Sequence, residues 1–390
     1  MKSVRLFSLT VFAILALISC KNEKNADEDA KVGSSLDCHP AGGRAGILVN
    51  SGSSADSSGT VTPDAEAVDS LANNATAEVD MVIIPAGEFM MGGTDRFALN
   101  REQPKHPVKV KGFLMDTHEV TNEQFREFVQ ATGYKTVAEL PIDWEELKKQ
   151  LPPGTPKPDD DVLKPGSLVF YARPGITDLS DYFQWWTWQQ GADWLHPDGP
   201  GSSIEGKDDH PVVHLALKDA KAYAQWAGKR LPTEAEWEWA ARGGLSDSMY
   251  PWGNDDVNAI PYRCNFFQGE FPSNNTGADG FVTTAPVKNY DPNGYGLYDV
   301  GGNVWEMTTD WFHENYYESL STTQTLENPR GPKESFYSGS PYAQHTVIKG
   351  GSFLCNDSYC SSYRVSARMP LEVDAGMNHV GFRCAKDLEQ

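Results

Sequence analysis

The stretch Arg230-Leu231-Pro232-Thr233-Glu234-Ala235-Glu236-Trp237-Glu238, with Ala241-Arg242-Gly243-Gly244 just after it, decides how this chain is read. Thr233 stands three positions before Glu236. Its hydroxyl is placed to cap the Glu236 amide while the Glu236 carboxylate reaches back, a capping box that opens a helix. A second box, Thr121-Asn122-Glu123-Gln124, precedes a helix with Phe125, Phe128 and Val129 on one face. After His210-Pro211-Val212-Val213-His214, Leu217–Trp226 carries apolar residues at helical spacing. Upstream, the β-branched run Met81-Val82-Ile83-Ile84 predicts a strand and Pro85-Ala86-Gly87 a turn. Residues 108–115 read as one further short strand. From 245 to 386 Gly and Asn abound and long periodic segments vanish, so short strands and ordered loops around aromatic cores are expected. The predicted class is α+β, with two main helices and much irregular structure.

The flanks of this body differ from it. Lys2 and Arg5 precede an apolar run from Leu6 to Ile18, too short to span a bilayer and typical of a secretory signal. Leu17-Ile18-Ser19-Cys20 resembles the bacterial lipobox, which would make Cys20 the lipidated first residue; the alternative is an ordinary signal with a chance Cys. The polar run that starts at Lys21 favours lipidation, and resemblance to bacterial sorting rules implies that Lys21 directs outer-membrane sorting over inner-membrane retention. The predicted organisation is a lipoprotein signal peptide over 1–19, a flexible low-complexity tether over 20–79, and one folded domain over 80–388. The expected location is the periplasmic face of the bacterial outer membrane or the cell surface, with membrane contact only through the lipid. Residues 141–180 contain Pro152-Pro153-Gly154, Pro156, Pro158 and the acidic Asp159-Asp160-Asp161, and read as a solvated surface insertion.

Composition narrows the function. A formal charge of −21 excludes a nucleic-acid partner, which needs clustered Lys and Arg. The 11 Trp, 15 Tyr and 17 Phe supply large planar surfaces for a globular body. No Gly-rich phosphate loop or nucleophile elbow is present. His106, His210 and His214 sit beside Pro or apolar residues without zinc-motif spacing and read as structural. The cysteines are Cys20, Cys38, Cys264, Cys355, Cys360 and Cys384. With Cys20 given to lipid, an odd number remains, so at least one thiol has no intramolecular partner.

Several phrases, in order, resemble the sulfatase-modifying-factor family, also called the formylglycine-generating enzyme domain. They are Ile84-Pro85-Ala86-Gly87-Glu88-Phe89-Met90-Met91-Gly92, Glu119-Val120-Thr121-Asn122, the 230–244 stretch, Gly296-Leu297-Tyr298-Asp299, Gly302-Asn303-Val304-Trp305-Glu306, Lys349-Gly350-Gly351-Ser352-Phe353 and Gly381-Phe382-Arg383. The resemblance implies a single C-type-lectin-related domain. Relatives on that scaffold also include non-catalytic surface lipoproteins, iron-dependent sulfur-transfer enzymes and ligand-display proteins, so fold alone does not give activity.

In the catalytic branch the Gly-Gly-Ser phrase is followed by two cysteines, and here Gly350-Gly351-Ser352-Phe353-Leu354-Cys355-Asn356-Asp357-Ser358-Tyr359-Cys360 carries both. The resemblance implies that Cys355 and Cys360 hold copper(I), a soft ion that prefers thiolates. The client cysteine, in a Cys-X-Pro-X-Arg motif of a sulfatase, would join as third ligand, and molecular oxygen with a thiol reductant would take it to Cα-formylglycine. Ser352 and Tyr359 match active-site positions, and Trp305 would form an apolar wall. A structural disulfide is the competing reading of the pair. An interaction platform without catalysis, or a calcium-stabilised ligand-binding module, competes for the whole chain.

The resemblance also implies two structural calcium sites: Asn265, Phe266, Asp279 and Phe281 for the first, Asp299, Gly302, Val304 and Glu306 for the second. Mixed side-chain and carbonyl oxygens suit calcium, and Asp299 in place of the family's common Asn adds a charge. Turn chemistry is the alternative for these Asn and Asp residues. Ala224, Ala241 and Val365 stand where the family often has disulfide cysteines, leaving Cys384 without that partner; a Cys264–Cys384 pairing stays open. Asp159 to Asp161, or Asp178 and Asp181, are candidates for meeting the client's Arg. A monomer is expected.

Overall fold

The computed structural model describes residues 80–389. By backbone contacts the chain divides into Met1–Leu36 and Asp37–Gln390, and the described residues belong to the second unit. The strands are β1 (Met81–Ile84), β2 (Gly87–Met91), β3 (His106–Val110), β4 (Phe113–Asp116), β5 (Gly166–Phe170), β6 (Trp186–Gln190), β7 (Gly269–Glu270), β8 (Asn274–Asn275), β9 (Trp305–Trp311), β10 (Leu326–Glu327), β11 (His345–Lys349), β12 (Met369–Glu372), β13 (Val380–Gly381) and β14 (Ala385–Asp387). The helices are α1 (Asn122–Thr132), the single turn α2 (Trp144–Leu147), α3 (Leu217–Trp226) and α4 (Glu234–Ala241). None of the described helices is long and apolar enough to cross a membrane.

Both capping boxes form. Thr121 Oγ1 accepts the Gln124 amide while Gln124 Oε1 accepts that of Thr121, and Thr233 and Glu236 repeat the exchange. The α+β class with short strands is borne out, with α4 standing beside the two longer helices. Residues 108–115 are not one strand: β3 ends at Val110 and β4 begins at Phe113. Val110 and Phe113 are both buried, and Lys111-Gly112 turn between separate sheets, ordered β10-β3-β2 and β1-β4-β14.

The central sheet runs β12-β11-β9-β13. It carries Met307, Ile348, Met369, Leu371 and Val380 into a core with Phe125, Phe128, Tyr223, Trp305 and Phe382. Residues 141–180 are more ordered than a solvated excursion. Ile142, Leu147, Leu151 and Leu163 bury one another in a small core against Trp144 and Trp188. β5 then pairs antiparallel with β6, Leu168 facing Trp188 and Phe170 facing Trp186. Local proline density hides this, because the apolar residues that close the small core are spread over loops without a period.

Buried ion pairs tie the layers. Arg364 makes paired bonds to Glu102 at 2.7 and 2.8 Å, Arg368 to Glu234 at 2.6 and 3.0 Å, and Arg383 to Glu306 at 2.6 and 2.7 Å. Glu238 is fully buried; burial alone would raise its pKa, yet Lys349 and Arg242 hold it at about 2.

Asp310 behaves oppositely. Burial first, then the charge of Glu234, push its carboxyl up to about 7, against amide and hydroxyl donors from Glu234 and Thr309. The folded pKa lies above the unfolded one, so the native state keeps a proton that the unfolded chain releases between about pH 4 and 7. Stability contributed by this group is present below that window and is lost as pH rises through it. Asp310→Asn should therefore lose less stability than wild type between pH 5 and pH 8, by about a few kcal/mol, in urea unfolding at the two pH values. Equal losses in the two proteins would refute this account.

Candidate active site

The site is built from the loop that leaves β11. Gly350 and Gly351 have φ of +91° and +73°, and a Cβ on Gly351 would lie 2.6 Å from the Tyr363 amide nitrogen. Only glycine fits that close approach. The turn delivers Ser352 and Cys355 into the interior, both fully buried. The Phe353 amide donates to the Asn303 carbonyl, and the Phe267 amide donates to that of Cys355. Asn356 Nδ2 donates to the Phe267 carbonyl at 2.9 Å and so fastens this loop to the 265–275 loop.

The fold brings Cys355 and Cys360 together. Their Sγ atoms are 3.1 Å apart. They are not bonded to each other, since a covalent S–S bond is about 2.05 Å. Cys355 is a free thiol, whereas Cys360 is disulfide-bonded. The Ser352 amide donates to Cys355 Sγ at 3.4 Å, and Ser362 Oγ lies 3.3 Å from Cys360 Sγ. Burial pushes the Cys355 thiol up to about 11; the donors around it and Arg364 only partly offset this. Ser352 Oγ accepts the Leu354 amide at 3.2 Å.

An aromatic shell encloses the pair. Tyr359 stacks on Phe271 with centroids 4.5 Å apart and meets Trp185 edge-on at 5.8 Å. Phe170 of β5 stacks on Phe271 at 5.9 Å. Trp305 opens β9 in the same buried cluster as both cysteines. The indole Nε1 atoms of Trp185, Trp186 and Trp305 are buried without a hydrogen-bond partner among the described residues. Sequence reasoning placed Trp305 and Tyr359 here but missed Trp185, Phe170 and Phe271. The aromatic run Tyr182-Phe183-Gln184-Trp185-Trp186-Thr187-Trp188 was the available signal.

Of the two acidic candidates for a client Arg, Asp160 and Asp161 pair with Lys157 and Lys164. Asp181 caps the short turn Tyr182–Gln184 that leads directly into Trp185. The second group is thus the one attached to the wall of the site.

The calcium residues lie in loops beside this pocket. Asn265 Nδ2 donates to the Thr283 carbonyl, while its buried Oδ1 has no hydrogen-bond partner among the described residues. Asp279 accepts from the Phe281 amide and from the Tyr290 hydroxyl. Asp299 has φ of +57°; its Oδ2 accepts the Lys288 amide, and its buried Oδ1 has no hydrogen-bond partner among the described residues. Burial pushes the Asp299 carboxyl up to about 6. Glu306 gives both oxygens to Arg383, and one also accepts the Trp237 indole N–H. Gly302 has φ of +83°, and a Cβ there would sit 2.2 Å from the Asn265 carbonyl oxygen. Among the described residues no three His, Cys, Asp or Glu converge as a metal cluster, so any ion here relies on backbone and amide oxygens too.

His214 bridges Ser167 Oγ and the Pro197 carbonyl, and His210 contacts Thr284 Oγ1. Cys264 and Cys384 are separate, buried free thiols, which answers their open pairing. Cys20 and Cys38 lie outside the described residues.

The chain is 46% identical over 310 residues to a formylglycine-generating enzyme of Thermomonospora curvata, covering 79% of this chain and 93% of that one. It is 44% identical to the enzyme of the same name from Mycobacterium tuberculosis, covering 79% and 98%. It is 36% identical to a Bos taurus protein named inactive C-alpha-formylglycine-generating enzyme 2, over 79% and 88%. Among solved structures, PvdO from Pseudomonas aeruginosa shares the fold with a TM-score of 0.50 at 24% identity, covering 79% and 94%. The model of the sulfatase-modifying factor enzyme 1-like domain matches residues 67–388, and to that family the chain belongs.

Proposed function

We propose that this chain is a copper-dependent oxidase that converts the cysteine of a Cys-X-Pro-X-Arg segment in a client sulfatase to Cα-formylglycine with molecular oxygen. The observation that carries the reading is the sulfur pair: Cys355 and Cys360, 3.1 Å apart, in a buried aromatic pocket. Relatives at 42–46% identity bear the name formylglycine-generating enzyme, which supports sulfatase maturation as the activity.

The two sulfurs, with the Ser352 amide and the Ser362 hydroxyl beside them, are a donor set that fits a soft monovalent cation. Cys355 and Cys360, once both are reduced, would hold copper(I), and the ion would supply one-electron chemistry toward oxygen there. The protein's own residues do the rest. Cys355, with its thiol near 11, stays protonated until a cation displaces the proton. The Ser352 amide holds its sulfur in place. Trp305, Phe271 and Trp185 exclude water from the pair. Tyr359, fixed between Phe271 and Trp185, lies beside the path a client cysteine takes. Two electrons leave the client cysteine and two leave an external thiol pair. Oxygen ends as water, the client sulfur as hydrogen sulfide.

The decisive measurement is mass spectrometry of a Cys-X-Pro-X-Arg peptide incubated with copper-loaded protein, a thiol reductant and oxygen, beside an anaerobic control. Aldehyde that forms only with copper and oxygen is expected. An unchanged peptide, with folding and copper loading confirmed, would refute the oxidase and favour a non-catalytic surface platform.

The reading extends to two structural calcium ions, one at Asn265 and Asp279 with the Phe266 and Phe281 carbonyls, one at Asp299 with the Gly302 and Val304 carbonyls. The buried, unsatisfied oxygens of Asn265 and Asp299 fit such ions. Glu306 is committed to Arg383 and joins the second site only as a shared carboxylate. Removing calcium with a chelator should lower the unfolding temperature, by an amount equivalent to about 3 kcal/mol at a calcium level roughly 100 times Kd. Asp299→Asn should shrink that shift, and a chelator without effect on wild type would dismiss both ions. Export as a monomeric lipoprotein anchored through Cys20 completes the proposal; loss of lipid incorporation in Cys20→Ser tests it.

A further inference from the structure

Asn303 is buried, and its backbone sits in the left-handed region at φ of +56°. Asn is one of the few residues besides glycine that adopt this region at small cost. Its side chain uses every donor and acceptor site it has. Oδ1 accepts the Ala285 amide at 2.9 Å and Asn265 Nδ2 at 3.2 Å. Nδ2 donates to Glu119 Oε1 at 3.1 Å and to the Ala285 carbonyl at 3.5 Å. Three segments far apart in the chain, at 119, 265 and 285, therefore meet on one amide.

The backbone of the same residue holds the cysteine turn. The Asn303 amide donates to the Asn265 carbonyl at 2.9 Å, and the Asn303 carbonyl accepts the Phe353 amide at 2.8 Å. One position earlier, the Gly302 amide donates to the Gly350 carbonyl at 2.8 Å. Gly350 and Phe353 are the two ends of the turn that carries Ser352. Ser352 in turn grips Cys355 twice: its amide reaches Sγ at 3.4 Å, and its carbonyl accepts the Cys355 amide at 2.9 Å. We propose that Asn303 is a positioning residue of the site, whose side-chain amide fixes the 302–303 backbone and, through it, the 350–353 turn that sets Cys355 Sγ beside Cys360. The proposal rests on the function proposed above, because only that reading makes the sulfur pair the reactive group.

The contacts relay the effect of Asn303 to the sulfurs through Ser352. Without the amide, the Ala285 amide, Asn265 Nδ2 and Glu119 Oε1 each lose a buried partner. The 302–303 backbone is then free to leave its left-handed conformation, and the bonds to Gly350 and Phe353 loosen with it. The turn samples several arrangements, and Ser352 no longer holds Cys355 Sγ at one distance from Cys360. Two sulfurs that must close on one ion bind it less well when one of them wanders. Outer partners that orient metal ligands in this way change metal affinity by about 10–100-fold.

The test uses the full-length chain, reduced and metal-free, titrated with copper(I) in competition with a chromogenic copper(I) chelator. Asn303→Gly keeps the left-handed backbone and removes only the amide, so it should bind copper(I) about 10–100-fold more weakly than wild type. Asn303→Asp keeps the shape and loses the two donated bonds, so its affinity should fall between the two. Thr346→Val is the structural control. Thr346 Oγ1 donates to the Thr308 and Asp310 carbonyls at 2.8 and 3.1 Å, further along β9. Its loss should lower the unfolding temperature and leave copper affinity at the wild-type value. Hydrogen exchange read by mass spectrometry needs no copper. Segment 350–356 should be as protected as 283–287 in wild type and Thr346→Val, and should lose protection in Asn303→Gly. Unchanged copper affinity in Asn303→Gly, or in Asn303→Asp if the first variant does not fold, overturns the proposal. So does a wild-type 350–356 segment that exchanges as fast as the exposed 172–175 segment, or a loss of affinity in Thr346→Val as large as that in Asn303→Gly. Affinities that follow the expected order, with no aldehyde from wild type, remove the oxidase and leave the positioning role standing.

Discussion

Cys360→Ser and Cys355→Ser will each lose aldehyde formation by about a thousandfold or more, while remaining folded. The reason is geometric. The two sulfurs lie 3.1 Å apart, and among the described residues no cluster of three or more His, Cys, Asp or Glu stands ready to replace a lost thiolate. Oxygen for sulfur at a buried position changes volume little, so the unfolding temperature should move only a few degrees. Residues acting as a unit lose their effect together, so the double variant should be no worse than either single one. Conversion measured as aldehyde per hour, beside circular dichroism for folding, checks this. A single variant that keeps more than a tenth of the wild-type rate would dissolve the pair as the reactive unit.

Arg383→Met will produce the largest loss of stability of any single change considered. The guanidinium makes paired bonds to Glu306 and donates to the backbone carbonyls of Asp116, Thr117 and Tyr298. It is fully buried, and so are Glu306 and Glu119, whose carboxylate lies 4.0 Å away. Burial first, then repulsion from Asp299, already raises Glu119 well above its ordinary range. Removing the cation leaves these acids without their common counter-charge, which costs about 3–5 kcal/mol. At about 2–4 °C per kcal/mol the unfolding temperature should fall by roughly 10 °C or more. Adding Glu306→Gln should recover part of the loss. Lys109→Met, which breaks the exposed pair with Glu327, serves as the control and should change little. Equal effects of Arg383→Met and Lys109→Met would show that the buried pair is energetically idle.

The parts of this architecture readable in advance are those written in local chemistry. Thr121 with Gln124 and Thr233 with Glu236 announce their helices within four residues, and both boxes close as expected. The Gly350-Gly351-Ser352 turn and the two cysteines after it sit within eleven residues, so their meeting was legible too. What was hidden depends on distance along the chain. Arg364 and Glu102 are 262 positions apart, and nothing near either residue announces the other. The β5–β6 hairpin was masked by prolines that precede it. Its Phe170 reaches the site only through Phe271, a hundred positions on. The break at Lys111-Gly112 followed from two buried ends, Val110 and Phe113, serving different sheets, which a single apolar run does not reveal.

Cys264 and Cys384 have a practical meaning beyond their lack of partners. Each is buried to within 1% of full enclosure, and burial raises both thiols well above the ordinary range. A thiol reagent in solvent reaches them only when the molecule opens. Their alkylation rates are therefore two internal clocks, one at the start of the 264–303 loop region and one on the approach to β14. If the clocks keep the same time, the domain opens as one cooperative body; if Cys384 runs ahead, its C-terminal strand frays first.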